Sequence, residues 1–523
     1  MRAHKSSAVI GGARPVQRLV SRIPHQWVWP LSVALLGVGT LLLWLPYIDA
    51  PLDVDVGTYA TVAYWWGHGD PLYQHITADR PQGIFVIFRM IEALGLGSVR
   101  GIHLLAAVYA ACCTLALLLV VTRVWGRAIG SMAAIVFSLI MATPYLQGPT
   151  ANAELFMLLP LLLSLDTLIR ADAYPLGEAI GSGFLFGSGV LGAIALLVKP
   201  PGVAIVILGI LWLARRWRTE KARGIVWVQS EVALIGGFLL GMLPALIHGL
   251  IVAPDRYFYA IFFYRFNALS AAAIPLSVQF SSFASVVLYI VARYPVLLLT
   301  LLGVFMLRPD AYRRDLLGLW LSLSLFGASI GGNWFPHYFQ QLLPPLSVAV
   351  ALALRAMVSS VRASRPALRW CWPLLRVVTV FALLYLVATV GYMLLPSSDA
   401  SRLVIDHSHP TTATRDVAYY LRTHTAPQDM IYVAYGQGDI YYLSQRRPAA
   451  RWLHTNEIRR IPGAFDEQMI LLTDPITSPR YIVAAQNFDY GGLDPNGTLR
   501  SLIAHQYVLE TTIGGIPLYR RIN

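Results

Sequence analysis

DVDVGTYATVAYWWGHGDPLYQHITADRPQG, residues 53–83, is the stretch around which this chain is organised. It lies between two long apolar segments and is itself too polar to span a bilayer. It contains the carboxylates Asp53, Asp55 and Asp79, and Arg80 follows the last of them. Binding and catalytic residues concentrate on loops that rigid elements hold in place. We therefore expect the rest of the chain to be a membrane scaffold that holds this loop and its substrates at one face.

The composition indicates a polytopic α-helical membrane protein. The chain has 523 residues, of which 56% are hydrophobic and only 13% are charged, and its mean hydropathy is +0.59. A soluble chain would have about a quarter charged residues. Apolar runs of about 20 residues recur, which is long enough to cross a ~30 Å hydrocarbon core. The net charge of +13 does not indicate nucleic acid as a partner, because the basic residues lie in short loops between these runs.

The basic loops and the apolar runs together predict the topology. Residues 1–26 are basic and contain no acid, which predicts a cytoplasmic tail. A transmembrane module follows at 27–396, with an outer loop at 49–100 that contains short helices near 59–66, in the headgroup zone, and 84–94. About eleven spans are expected in the plasma or inner membrane, and their approximate ranges are 27–47, 101–122, 128–145, 155–169, 179–198, 202–214, 230–252, 283–307, 315–331, 341–358 and 373–395.

The composition changes after Pro396, and residues 397–523 predict a small extracytoplasmic α/β domain. Strands that alternate with helices favour such a layer. The expected helices lie near 411–424, 439–444, 464–472 and 498–505, and the expected strands are at 430–435 and 480–485, followed by YVLETTI and IPLYRRI. The turn at residues 436–438 lacks the third glycine and the distant acid of a dinucleotide site, so it does not indicate nucleotide binding.

Two features of the first outer loop suggest chemistry, and each has a structural alternative. Asp53 and Asp55 would share a face in an extended segment, where a partly desolvated carboxylate could act as a general base on a hydroxyl. The alternative is capping of the helix before Tyr59. Asp79 and Arg80 precede a proline, and Arg suits a phosphate because its fork donates two parallel hydrogen bonds. The alternative there is a surface ion pair, which contributes little.

Later outer loops add further polar groups. Asn152 and Glu154 lie at the start of the fourth span, where Glu154 could be a helix N-terminal charge and nothing more. Lys199 departs from the positive-inside pattern; such a lysine often snorkels, but here two prolines follow it and it could bind a phosphate. His337 and Tyr338 lie where the tenth span begins. Together these residues suit an anionic lipid substrate and a hydroxyl acceptor.

Several stretches resemble the GT-C class of membrane glycosyltransferases, and most closely the family 39-like branch that contains bacterial relatives of protein O-mannosyltransferases and the aminoarabinose transferase acting on lipid A. The likeness covers nearly the whole chain in order. It is carried by DVGTYA (55–60), DRPQGIF (79–85), TANAELF (150–156), PHYF (336–339) with LLPP (342–345), and YYLSQRRPAAR (441–451).

The resemblance implies a GT-C fold and the transfer of one sugar from a polyprenyl-phosphate donor to a hydroxyl acceptor on a lipid, glycan or protein at the outer membrane face. The family's catalytic carboxylate corresponds to Asp55. Tyr59 and the other polar residues named above would then bind substrate. Val56 stands where the family commonly has Glu, which argues against a two-carboxylate metal site, although Asp55 and Glu154 could hold Mg²⁺ or Mn²⁺. No other cofactor is expected.

A transporter or lipid flippase is the alternative from another class. That class places ionisable residues near the middle of its spans and often has broken helices. Here the charges cluster at the ends of the predicted spans. Asp166, near the inner end of the fourth span, is the acid within a span that a transporter could use. The observation that discriminates is whether Asp55, Asp79, Glu154, Lys199 and His337 converge on one outer cavity.

Overall fold

The computed structural model describes residues 25–76, 80–263, 275–306, 310–330, 334–358, 372–395, 412–488, 492–494 and 496–522. Most of the basic N-terminal tail lies outside these residues, as do Asp79 and the start of the C-terminal segment at 396–411. The chain folds into a bundle of apolar helices and a small domain that is built on one sheet.

Helices occupy all the ranges in which the sequence predicts spans. They are α1 (His25–Trp44), α4 (Val99–Trp125), α5 (Arg127–Met141), α6 (Ala153–Ala171), α7 (Ala179–Val198), α8 (Ala204–Glu220), α9 (Gly224–Val252), α11 (Leu276–Arg293), α12 (Leu299–Met306), α13 (Ala311–Ser329), α14 (Leu343–Val358) and α15 (Trp372–Met393). Two helices, α2 (Val54–Gly67) and α3 (Gln82–Ala93), lie between the first two of these, and a single turn, α10 (Pro254–Phe258), follows α9.

Length and apolarity identify this as a multi-pass membrane protein. Within the described residues, 7 helices are long and apolar enough to cross a membrane, or up to 8 if one bent pair counts as a span. Large apolar side chains such as Val232, Leu239 and Phe381 are exposed. Soluble proteins rarely expose so much apolar surface, so these faces indicate contact with lipid.

The predicted eighth span is not a straight helix. Its two halves, α11 and α12, meet at an angle of 109°. Pro295 begins a short 3₁₀ turn between them, and proline removes a backbone donor and disfavours helical geometry in the residue before it. The prediction of one continuous span at 283–307 is therefore wrong in this respect.

The C-terminal domain has the α/β layer that the sequence predicts. Its strands are β1 (Met430–Val433), β2 (Arg447–Pro448), β3 (Tyr481–Val483), β4 (Tyr507–Ile513) and β5 (Ile516–Arg521), in the order β2-β1-β3-β5-β4. Its helices are α16 (Thr412–His424), α17 (Gly438–Ser444), α18 (Thr455–Arg460), α19 (Ala464–Thr473) and α20 (Thr498–Gln506). The strands β1, β2 and β3 are parallel, whereas β5 is antiparallel to both of its neighbours.

This domain docks directly on α2. An added Cβ at Gly57 would lie 2.2 Å from the backbone nitrogen of Asp439, and one at Gly438 would lie 2.6 Å from the backbone nitrogen of Thr58. Only glycine permits such an approach of two backbones. Thr61 Oγ1 also donates to the carbonyl of Gly438 at 2.8 Å. The glycine-rich turn that does not suit a nucleotide therefore serves as a helix-docking segment.

The docking buries α2 more deeply than the sequence suggests. Tyr59 is 1% exposed, and most of the helix from Val56 to Ala63 is buried as well. The C-terminal domain therefore covers one face of this aromatic segment, and its position in the headgroup zone stays a prediction. A second contact joins the same two parts: Arg447 Nη2 lies 3.0 Å from Asp70 Oδ2.

We expect Asp439→Asn to stabilise the docked domain at neutral pH. Burial raises the pKa of Asp439 to about 6, although the hydrogen bond from Thr414 acts in the opposite direction. A raised carboxyl pKa means that stability falls as pH rises from about 4 to about 6 and stays low above that range. An uncharged isostere should recover roughly 3 kcal/mol of unfolding free energy at pH 7, since one pKa unit corresponds to about 1.4 kcal/mol.

The measurement is unfolding of the purified protein in detergent at several pH values. The Asn variant should lose the dependence on pH between about 4 and 6, whereas Asp466→Asn, an exposed control on α19, should retain it. An Asp439→Asn protein that is less stable than wild type at pH 7 would contradict this account.

Candidate active site

Asp55 lies in the first turn of α2. Asp53 is the N-cap of this helix, and its side chain accepts the backbone N–H of Asp55 at 2.9 Å. The two acids are therefore not on one extended segment, and the capping alternative describes Asp53. A carboxylate in the first turn interacts favourably with the positive end of the helix dipole, which favours the ionised form of Asp55.

The Asp55 carboxylate has a neighbour on each oxygen. His454 Nε2 lies 3.6 Å from Oδ1, and the Tyr59 hydroxyl lies 3.5 Å from Oδ2. Burial alone would raise the pKa of Asp55, but the charges of His454 and then Arg80 outweigh it and hold the pKa below its usual value. Asp55 is consequently ionised at neutral pH, as a base must be.

Arg80 is held beside Asp55 through Tyr59. Its Nε donates to the Tyr59 hydroxyl at 3.2 Å, and Tyr73 donates to its backbone carbonyl at 2.8 Å. Arg80 is only 9% exposed. The guanidinium therefore lies within the protein rather than on its surface, contrary to the surface-pair alternative. Its predicted partner Asp79 lies outside the described residues.

Glu154 and Lys199 form a buried ion pair between α6 and the end of α7. Their side chains are 2% and 5% exposed, and His337 Nε2 lies 3.7 Å from Glu154 Oε1. Lys199 does not snorkel, since its Nζ lies 4.3 Å from the centre of the Tyr338 ring. Asn152 caps α6, and its Oδ1 accepts the backbone N–H of Ala153 at 2.7 Å.

A small opening next to these residues is lined in part by Glu154, Lys199, Tyr338 and Gln341. Buried polar atoms are normally hydrogen-bonded. Around this opening, however, several have no such partner within the part of the chain that the structure describes: Asn152 Nδ2, Glu154 Oε2 and His337 Nδ1. They indicate a place for a polar ligand.

Charge interactions also connect Asp55 to the other polar residues of the site. Arg80, His337 and Lys199 all act on the charge of Asp55, and Glu154 interacts with it through repulsion. Asp55, Glu154, Lys199 and His337 therefore lie close enough to interact, and two of them, Glu154 and Lys199, line the opening. Asp79 lies outside the described residues, so convergence of all five on one cavity stays a prediction.

Sequence reasoning missed His454. It belongs to the C-terminal domain and is the N-cap of α18, a short helix that was not predicted. The pattern HTNE at residues 454–457 contains the Glu of a capping box, which is a signal for the helix. Histidine is uncommon at the cap, and no local signal places it beside Asp55.

The described residues of the site do not form a ligand set for a divalent cation. Within the described ranges, no group of three or more His, Cys, Asp or Glu side chains could hold a metal ion. Glu154, a predicted candidate, is already neutralised by the Lys199 ammonium. We therefore derive no step through a metal.

Solved structures of similar fold come from membrane-embedded transferases. ArnT from Cupriavidus metallidurans bound to undecaprenyl phosphate is 13% identical, with a TM-score of 0.63 over 94% of this chain and 98% of that one. AglB, an archaeal oligosaccharyltransferase from Archaeoglobus fulgidus in complex with an inhibitory peptide and a dolichol-phosphate, is 13% identical, with a TM-score of 0.56 over 95% of this chain and 75% of that one.

The arabinofuranosyltransferase AftD from Mycobacteria is 14% identical, with a TM-score of 0.53 over 96% of this chain and 40% of that one. The sequence matches no protein-family model and no curated protein. At these identities the structural likeness establishes the fold.

Proposed function

We propose, from the GT-C glycosyltransferase fold of this multi-pass membrane protein, that it moves a sugar from a polyprenyl-phosphate donor to a hydroxyl acceptor at the outer membrane face. One observation carries the proposal: an ionised carboxylate, Asp55, shares a partly buried site with Arg80, Lys199 and His337. Such a site has a base for a hydroxyl proton and cations for a phosphate.

The chemistry follows from these positions. Asp55 takes the proton of the acceptor hydroxyl while the acceptor oxygen forms a bond to the anomeric carbon. The bond from that carbon to the phosphate oxygen breaks, and polyprenyl phosphate leaves with the electron pair. Arg80 and Lys199 stabilise the negative charge that develops on the leaving phosphate. A single displacement of this kind inverts the anomeric centre.

The structural relatives support a lipid-phosphate donor. The ArnT structure contains undecaprenyl phosphate, and the AglB structure contains a dolichol-phosphate. Lys199 lines a small opening, and buried polar atoms of Glu154 and His337 nearby have no partner within the described residues, which supports a polar ligand at this place.

A transporter is less consistent with the described spans. Asp166, the acid that such a function would use, is paired with Arg123 at 3.0 Å and with Arg170 at 2.6 Å. Both pairs lie at the end of α6 away from Glu154. This arrangement is typical of a structural ion-pair group rather than of a transport pathway.

The test is a transfer assay. The purified protein is incubated with a panel of polyprenyl-phosphate sugars and membrane lipid, glycan or peptide acceptors, and products are identified by mass. We expect one donor to be consumed with formation of polyprenyl phosphate and a glycosylated acceptor. Movement of an intact lipid-linked sugar across the membrane of vesicles, with no sugar transfer from any donor, would favour the transporter instead.

The proposed orientation places the C-terminal domain outside the cell and the basic loops inside. A cysteine at the exposed position of Ile476, in a cysteine-free background, should react with a membrane-impermeant maleimide in intact cells. A cysteine at Lys221, in the densest basic loop, should react only after permeabilisation. The reverse pattern would overturn this orientation.

A further inference from the structure

The C-terminal domain brings a titratable side chain to the proposed catalytic carboxylate. His454 Nε2 lies 3.6 Å from Asp55 Oδ1, and the side chains are 19% and 25% exposed. Among the described residues, His454 in its protonated form is the group whose charge most strongly favours the ionised form of Asp55. The contact joins two residues that lie far apart in the sequence.

Local structure fixes the orientation of the imidazole. His454 accepts the backbone N–H of Glu457, and the Glu457 carboxylate in turn accepts the backbone N–H of His454 at 3.4 Å. A neutral imidazole has one donor and one acceptor nitrogen. Because the ring accepts the cap hydrogen bond and turns Nε2 towards Asp55, a neutral ring carries its proton on Nε2, facing the carboxylate.

The docking contact sets the distance between the two side chains. Thr455, next to His454, donates from Oγ1 to the carbonyl of Tyr435 at 2.5 Å. Tyr435 and Gln437 have φ values of 63° and 65°, which non-glycine residues adopt infrequently. This constrained turn leads directly into Gly438, which packs against α2, the helix that also carries Asp55.

We propose that His454 is a positioning residue for Asp55, an inference that rests on the proposed transferase function. The imidazole faces Oδ1 and holds the carboxylate in place, so that Oδ2 is directed at the acceptor hydroxyl. The extracytoplasmic domain thereby completes the active site, because the membrane-embedded helices do not supply this contact.

The test uses the full-length protein with His454→Asn. Asn caps helices well, so the Asn variant should keep α18 folded while it removes the imidazole. We expect kcat of the Asn variant to fall roughly 10- to 100-fold, because small misplacements of catalytic groups cause losses of that size. KM for the donor should change little. The exposed His505, replaced by Asn, is the matched control and should leave kcat unchanged.

The dependence of the rate on pH gives a second readout. Several titratable or charged groups face Asp55 or act on it: Asp53, Tyr59, Arg80, Glu154, Lys199, His337 and His454. Loss of the imidazole should move the acidic limb of kcat/KM to higher pH, because the remaining cations favour the ionised carboxylate less. A role confined to capping predicts instead that the Asn variant has the wild-type kcat and pH profile, and that result would overturn the inference.

An infrared titration of the Asp55 carboxyl separates this inference from the proposed function. The signal is assigned by its absence in Asp55→Asn and requires no turnover. If wild-type protein transfers no sugar, the proposed function fails. A rise in the titration midpoint of Asp55 in His454→Asn would still support the positioning contact, whereas an unchanged midpoint would contradict it.

Discussion

Asp55→Asn is expected to lower the rate of sugar transfer by ~10²–10⁴, the usual loss when a positioned base is removed. The amide is nearly isosteric with the carboxylate but cannot take the acceptor proton. Folding and donor binding should be largely intact, because Arg80 and Lys199 keep their own contacts with Tyr59 and Glu154. The measurement is single-turnover transfer by purified protein, together with donor binding.

Asp53→Asn is the matched comparison on the same helix. Asn caps a helix about as well as Asp, so the variant should retain the hydrogen bond to the Asp55 backbone and have a much smaller effect. Glu154 could serve as an alternative base, but its carboxylate is engaged by Lys199. A folded Asp55→Asn protein that binds donor and transfers sugar at close to the normal rate would exclude Asp55 as the base.

Lys199→Ala is expected to destabilise the folded protein by about 3–5 kcal/mol, because it leaves the buried Glu154 carboxylate without its cation. Lys199 is only 4% exposed, so no solvent can replace its charge beside Glu154. The measurement is chemical unfolding in detergent. A measurement of donor binding by Lys199→Ala alone would therefore not distinguish a loss of folding from a loss of the phosphate contact.

The double variant Glu154→Gln, Lys199→Met separates the two effects. It removes both charges, so its stability should lie nearer to that of wild type, while turnover at limiting donor should still fall. Equal stability of Lys199→Ala and wild type would contradict the importance of the ion pair. Wild-type turnover of the double variant at limiting donor would exclude Lys199 as a phosphate ligand.

The helical scaffold could be predicted because the bilayer imposes a simple rule on sequence. Runs of about 20 apolar residues with basic loops locate the spans, and the observed helices occupy those ranges. The bend at Pro295 was missed because hydropathy reports the composition of a segment and not the direction of its helix axis. Four of the five strands and most helices of the C-terminal domain were also predicted, because their apolar patterns are local; the two-residue strand β2 was not.

The site could be predicted only in part. Asp55, Glu154, Lys199 and His337 lie at predicted span ends on one face, so topology alone brings them to the same side. The burial of Arg80 and the Glu154–Lys199 pair could not be inferred, because they depend on how the helices pack. The contact of His454 with Asp55 depends on docking between two folded parts, which no local pattern in the sequence specifies.

The close approach of Gly57 and Gly438 limits how freely the two parts of this molecule can be exchanged. A hybrid that combines this set of helices with the sheet domain of a relative would need no side chain at either position. A methyl group on Gly57 would enter the backbone of Asp439, and one on Gly438 would enter the backbone of Thr58. Both positions should therefore remain glycine during evolution. A designer who wished to replace the C-terminal domain would therefore have to keep the docking surface of α2 unchanged.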